Sequence, residues 1–261
     1  MALLGAAAAA LVLGQRSLTY VPDTSDPGSV TDLADGSQDV TLRTEDGLDL
    51  SAWLVEPTGA DRAVAVLYLP GNGGNRAGRL PAAQAMAAEG FTVLLLDYRG
   101  YGANPGRPTA DGLLADAEAG VALLREAGFG AARTVYYGES LGTAVAASLI
   151  AVEPAAGAVL RSPFPSLAAV ADATFRVPVG RLLTDSYPAA EHLSRSDVPV
   201  RVLYGEADTT VPPHLSRELA DSVGNLQDVV AVPGAGHNDA VWWGPLVAEQ
   251  VALLVEQAGA D

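Results

Sequence analysis

The stretch Ala63-Val64-Ala65-Val66-Leu67-Tyr68-Leu69 is apolar at every position, and that property narrows what the chain can fold into. A strand with one wet face alternates apolar and polar residues, whereas a strand apolar on both sides must be covered on both sides. That is the situation of a parallel strand sandwiched between helices. Strand-like runs recur at Phe91 to Leu96, Thr134 to Tyr137, Ala156 to Leu160, Val198 to Tyr204 and Gln227 to Val232. Between them lie helix-like stretches: Arg76 to Glu89, Thr109 to Ala127, Thr143 to Ile150, one opening near Pro212 or Pro213, and a last from about Ala240 to Gln257. Strands alternating with helices define an α/β architecture, a mostly parallel twisted sheet with helices on both faces. Ahead of it, Asp39 to Thr44 and Leu48 to Glu56 flank Glu45-Asp46-Gly47, the signature of an antiparallel N-terminal hairpin.

The chain's 261 residues suit one such domain, expected over 38–261, with a small lid inserted near 162–197. Residues 16–37, rich in Pro, Gly, Asp, Ser and Thr, are expected as a linker or extended loop. Residues 1–15 form an uncharged apolar leader, shorter than the roughly 20 residues that span a bilayer. No basic residue precedes it and no small-x-small cleavage signature follows before Arg16. Membrane association or export through this leader is expected, with an Ala-rich helix packed on a cytoplasmic protein as the alternative. All fifteen basic residues are Arg, and thirty-one acidic residues give a net charge of −16, which argues against nucleic acid as a partner. There is no Cys, so disulfides, thiolate metal sites and cysteine nucleophiles are excluded. Three scattered His without metal-ligand spacing give no reason to expect a metal. The sequence leaves the oligomeric state open.

Four strand ends carry chemically useful groups. Gly138-Glu139-Ser140-Leu141-Gly142 stands between a strand and a helix, the setting in which a sharp turn exposes a serine at its tip. By itself the pattern is equally a glycine-flanked turn with a helix-capping serine. A serine hydroxyl is a poor nucleophile without a base, and a base needs a carboxylate to fix its tautomer. Asp208, after a strand and Gly205, and His237, in a glycine-bracketed loop, follow Ser140 in that order. His192 in the lid and His214 near a helix start are the weaker histidines, and Glu206 and Asp239 the weaker acids. Asp208 has a second reading as a cap before Pro212 and Pro213. The loop Pro70-Gly71-Asn72-Gly73-Gly74-Asn75 lacks the Gly-Lys-Ser/Thr ending of a phosphate loop. It is expected instead to supply the backbone N–H of Asn72, with that of Leu141, to an oxyanion. Asp97 and Arg99 are expected to pair and brace the loops, and Trp242 and Trp243 to serve as core or pocket wall.

With these residues assembled, the chain resembles the α/β-hydrolase superfamily over roughly residues 16 to 258, and within it the N-terminally anchored abhydrolase-domain branch of serine hydrolases. The resemblance rests on the apolar leader followed by Arg16 to Pro22, on Pro70 to Asn75, Asp97 to Gly102, Gly138 to Gly142, Ser162-Pro163-Phe164, Gly205 to Asp208 with Val211-Pro212, and Gly236-His237. It implies the α/β-hydrolase fold and a cofactor-independent enzyme that cleaves carboxylic esters or thioesters through an acyl-enzyme. Ser140, Asp208 and His237 would be catalytic, and a small-molecule or lipid-like acyl compound the substrate. Relatives include proteins labelled as serine peptidases, so a peptidase or amidase is the alternative within enzymes, and a non-catalytic binding protein on a retained fold the alternative outside them. Many relatives carry His where this chain has Pro70, which has no N–H and fixes φ, so the oxyanion loop departs from the common pattern.

Overall fold

A computed structural model describes residues 15–17 and 19–259. All of the expected leader except Gln15 lies outside the described residues. Eight strands form the main sheet: β1 (Gln38–Arg43), β2 (Asp49–Val55), β3 (Ala65–Leu69), β4 (Thr92–Leu96), β5 (Thr134–Glu139), β6 (Gly157–Arg161), β7 (Val200–Gly205) and β8 (Leu226–Val232). Their spatial order is β8-β7-β6-β5-β3-β4-β2-β1. The β1–β2 and β2–β4 pairs are antiparallel and the other five pairs parallel, so the expected hairpin fronts a parallel sheet.

Seven α-helices lie wholly within the described residues: α1 (Leu80–Ala88), α2 (Ala110–Glu126), α3 (Leu141–Ile150), α4 (Leu167–Phe175), α5 (Ala189–Ser194), α6 (Pro213–Ser222) and α7 (Pro245–Ala258). The central strands are buried at every residue because each face packs into its own core. Leu67, Leu69, Leu94, Leu96, Tyr136 and Leu160 point to the face covered by α2 and α3. Val66, Tyr68, Val93, Leu95, Tyr137 and Val159 point to the face covered by α1 and α7. The period-two pattern hidden in the apolar runs therefore sorts side chains between two cores.

Local chemistry sets the element ends. The Thr109 hydroxyl accepts from the Gly112 N–H at 2.9 Å and caps α2, which carries Asp111 in its first turn and Arg125 in its last, both favourable to the helix dipole. Two expected helices are divided. The stretch from Arg76 begins as a 3-10 turn through Arg79, and α1 follows with a proline in its first turn. The stretch from Ala240 is a 3-10 turn through Trp243, is interrupted by extended Gly244, and restarts at Pro245. Residues 20–37 run over the domain. Tyr20 is buried, Val21–Pro22 pairs in parallel with Gly73–Gly74, and Val30–Asp32 forms a 3-10 turn. The 162–197 insertion contains α4, a 3-10 turn at Gly180–Leu182, and α5.

Candidate active site

Strand β5 runs through Gly138 and Glu139 and delivers Ser140 directly to the start of α3. Ser140 has φ 51° and ψ −115°, a conformation that costs a non-glycine residue about 1–3 kcal/mol and persists only where its surroundings impose it. Those surroundings explain the glycines. A Cβ on Gly138 would lie 2.7 Å from the Gly142 carbonyl oxygen, and a Cβ on Gly142 would lie 2.0 Å from that of Leu69. The Ser140 N–H donates to the Arg161 carbonyl at 2.9 Å, while Thr143 donates to the Ser140 carbonyl through both N–H and hydroxyl. The Ser140 hydroxyl makes no capping bond to α3, which removes the reading of Ser140 as a helix cap.

The Ser140 hydroxyl instead lies 3.1 Å from His237 Nε2, and His237 Nδ1 lies 2.7 Å from Asp208 Oδ2. A carboxylate at Nδ1 assigns the proton there and leaves the Nε2 lone pair facing the hydroxyl. Asp208 is not the cap of α6, whose N-cap is Pro212 with no side-chain capping bond, but it shapes the turn ahead of that helix. Oδ1 accepts from the N–H groups of Thr210 and Val211 at 2.9 and 2.8 Å, shaping the turn, while Oδ2 meets His237. Burial works to raise its pKa. The His237 hydrogen bond and charge, the Val211 N–H and the Ser162 hydroxyl outweigh burial and hold the carboxyl below 3.8. Ser162, fully buried with φ 53°, donates to Asp208 Oδ2 at 2.9 Å. Sequence reading noted Ser162 only within Ser-Pro-Phe; a positive φ on a serine leaves no mark in the sequence.

The weaker alternatives fall elsewhere. His192 lines a separate cleft with Ile150 and Arg195, and His214 sits on α6. Glu206 is exposed, and Asp239 accepts from the Gly236 N–H at 2.7 Å, bracing the loop that carries His237.

Asn72 is fixed through its side chain and carbonyl. Its amide donates to the Thr19 carbonyl at 2.7 Å, and its own carbonyl accepts from the Val21 N–H and the Tyr101 hydroxyl. The Pro70 carbonyl accepts from the buried Tyr98 hydroxyl at 3.2 Å. Among the described residues the Asn72 N–H has no hydrogen-bond acceptor, and the Leu141 N–H, first in α3, has none within its helix.

Beneath the serine lies a buried charged cluster that sequence reading missed. Glu139 meets Arg79 at 3.1 Å, Arg161 at 3.2 Å and the Tyr68 hydroxyl at 2.8 Å. Burial would raise the Glu139 pKa, but the two guanidinium groups and the Tyr68 hydroxyl lower it. Arg161 also donates to the His237 carbonyl at 2.7 Å, tying the serine turn to the histidine loop. Trp242 is in the core and Trp243 lines the cleft, as expected.

Asp97 and Arg99 do not pair with each other. Strand β4 ends at Leu96, so the alternation that would align positions 97 and 99 on one face has ceased. Asp97 meets Arg76 at 2.8 Å, and Arg99 binds Asp116 and Asp46. Burial, only partly offset by Arg76, pushes the Asp97 pKa up to about 6.

Two hollows adjoin at Asn72. A polar cleft of about 330 Å³ is lined by Ser140, His237, Arg79, Glu139 and Trp243. A second, of about 260 Å³, is walled by Leu167, Val170, Phe175, Val179 and Leu183 of the insertion and closed by Gln15 and Thr19. Among the described residues no group of three His, Cys, Asp or Glu is placed to hold a metal ion.

The family model described as Serine aminopeptidase, S33, matches residues 61–189. The uncharacterized protein Rv2307c of Mycobacterium tuberculosis is 42% identical over 227 residues, 86% of this chain and 81% of that protein. The uncharacterized protein YfhR of Escherichia coli K12 is 30% identical over 213 residues, 78% of this chain and 74% of that protein. Among solved structures, the Pyrococcus furiosus esterase Pf2001 superposes with a TM-score of 0.74 at 21% identity, covering 92% of this chain and 97% of the esterase.

Proposed function

The chain belongs to the α/β-hydrolase family, and we propose that it is a serine hydrolase of carboxylic esters or thioesters with apolar acyl groups. The observation that carries this reading is the unbroken hydrogen-bonded line from Asp208 through His237 to a strained Ser140. Ser140 Oγ attacks the acyl carbon as His237 Nε2 takes its proton, and Asp208 stabilises the imidazolium that forms. The N–H groups of Leu141 and Asn72 receive the developing oxyanion. The bond to the leaving oxygen or sulfur breaks, and His237 returns the proton to that atom. Water, deprotonated by His237, then attacks the acyl-enzyme, releasing the carboxylic acid and regenerating Ser140. The insertion-walled hollow next to Asn72 fits the acyl chain.

The family description supports a second reading, an aminopeptidase. Such an enzyme needs a carboxylate free to hold the substrate ammonium. The cleft's own carboxylate, Glu139, is engaged by two arginines, which favours the ester reading. The leader is proposed as a membrane-associating segment; among the described residues no helix is long and apolar enough to cross a membrane. The test is fluorophosphonate labelling and p-nitrophenyl ester turnover of wild type and Ser140→Ala. Both activities are expected in the first and absent from the second. Labelling that survives the substitution places the nucleophile elsewhere, no labelling of wild type favours a non-catalytic protein, and faster cleavage of aminoacyl amides than of acyl esters favours the peptidase.

A further inference from the structure

In a protein of net charge −16, one surface stretch has the opposite character. Between Asp172 and Asp185 the insertion carries no acidic residue and two arginines, Arg176 and Arg181. Both are exposed, and among the described residues neither forms an ion pair. Around them Phe175, Val177 and Leu182 stand 54%, 53% and 44% exposed. Three large apolar side chains exposed within eight residues, interleaved with unpaired cations, form a patch that water alone does not explain.

Two further observations indicate what covers it. The insertion is tied to the start of the described chain: the Thr184 N–H donates to Gln15 Oε1 at 2.6 Å, Arg16 meets Asp185 at 3.2 Å, and the Tyr20 hydroxyl donates to Asp185 at 2.9 Å. The described chain, which in sequence follows the apolar residues 2–14, therefore starts at this same face. The apolar hollow beside Asn72 also lies directly under the patch, since Phe175 and Leu182 belong to both.

We infer that the Phe175–Leu182 face docks on an anionic lipid surface, its apolar side chains entering the interface and Arg176 and Arg181 meeting lipid phosphates. Apolar burial combined with cationic attraction is the physics of interfacial attachment. A protein partner would also tolerate the apolar side chains, but the local reversal of charge selects an anionic layer. Docked in this way, the hollow opens toward the acyl region, and acyl substrates enter from the lipid without crossing water.

The absence of cysteine permits a clean test on the full chain. Val177→Cys and, as a control elsewhere on the surface, Val152→Cys, which is 55% exposed in wild type, are each labelled with an environment-sensitive fluorophore and mixed with phosphatidylcholine vesicles with or without phosphatidylglycerol. A blue shift at position 177 alone, dependent on phosphatidylglycerol and weakened by salt, is expected. In the unlabelled protein, Arg176→Asn with Arg181→Gln should lower partitioning to anionic vesicles about 30-fold, equivalent to about 1 kcal/mol per lost charge. Asn is chosen at position 176 because the backbone there is left-handed, φ 56°. Turnover of a water-soluble short-chain ester should be unchanged in that double variant. If the protein binds vesicles with no signal at position 177, or with partitioning indifferent to the two arginines, attachment runs through the leader alone and the inference is wrong. A signal at 177 only when another protein is added points to a protein partner and overturns it equally. None of the vesicle readouts depends on whether Ser140 is the nucleophile.

Discussion

Gly142→Ala adds one methyl group where the structure has no room for it. Its carbon would lie 2.0 Å from the Leu69 carbonyl oxygen and 2.7 Å from that of Pro70. An ordinary contact needs 3.4 Å, so α3 and the end of β3 must part by about 1.4 Å. Both obstructing atoms are backbone, and Leu69 is fixed in register against Gly138, so no side-chain rotation relieves the clash. Overpacking of this kind costs about 1–3 kcal/mol, which for a domain of this size lowers Tm by roughly 2–12 °C. The larger effect falls on chemistry. Leu141 rides on α3 and Asn72 follows Pro70, so the same displacement separates the two N–H groups that would share one oxyanion. A misplacement of about 1 Å costs roughly 100-fold in rate, about what loss of one oxyanion donor costs. We expect kcat for p-nitrophenyl butyrate to fall about 100-fold, with KM changing less than threefold and a folded melting transition retained. Gly130→Ala is the control, because its Cβ meets nothing within 4 Å and its φ of −76° suits alanine. A Gly142→Ala enzyme with wild-type kcat refutes the steric account of the turn and the assignment of Leu141 and Asn72 together.

Other expectations follow from the same geometry. Asp208→Asn keeps the shape but allows the wrong His237 tautomer, so kcat should drop about 10³–10⁴-fold with little change in Tm. Asp208 is held below 3.8, so its contribution to stability is present above that value and lost as pH falls below it; urea midpoints taken down to pH 3 should show the loss in wild type and not in Asp208→Asn. Ala171→Trp should fill the apolar hollow and lower kcat/KM for octanoyl esters at least tenfold while sparing acetyl esters, since each buried CH₂ is worth about 0.8 kcal/mol. The pKa of Asp97, raised to about 6, means the folded state binds its proton more tightly than the unfolded one; this residue's contribution therefore falls as pH rises from 3.8 to about 6. Asp97→Asn, which cannot ionise, should flatten that part of the stability profile, read as urea midpoints between pH 4 and pH 7.

Ser140 and Asp208 share one property: each stands just past a strand end beside a glycine whose Cβ would collide with neighbouring backbone. Gly138 and Gly142 mark Ser140, and Gly205, whose Cβ would lie 2.2 Å from the Ala235 carbonyl oxygen, marks Asp208. Steric necessity of this kind is written locally. The divided last helix was also written locally, in Gly244-Pro245. The residue before a proline is driven out of the helical region and the proline favours a first turn, so the apolar run Ala240 to Trp243 is kept outside α7. Partner choice among charges was not legible. Asp97 and Arg99 are neighbours in sequence, yet their partners lie 21, 17 and 53 residues away. Only the sheet order, which places β5 between β3 and β6, brings Arg79 and Arg161 onto Glu139.

Those distant pairings explain how irregular loops hold a geometry as exact in its demands as acyl transfer. Ser140, Asp208 and His237 lie beyond the ends of their strands, where ladder hydrogen bonds no longer fix direction. Apolar contacts could fill the same space at less desolvation cost, since a buried ion pair rarely stabilises more than well-packed hydrocarbon. Hydrocarbon, however, has no preferred angle. The Arg161 guanidinium does: its fixed fork joins Glu139, the residue before the nucleophile, to the carbonyl of His237, and its plane lies near Trp242 and Trp243. Arg99 likewise links the hairpin turn at Asp46 to α2 at Asp116. Removing one member of such a cluster leaves an uncompensated charge and frees two loops at once. The side chains that perform the proposed chemistry and the buried charges that aim them thus form one mechanical unit, with Arg161 in contact with both the serine turn and the histidine loop.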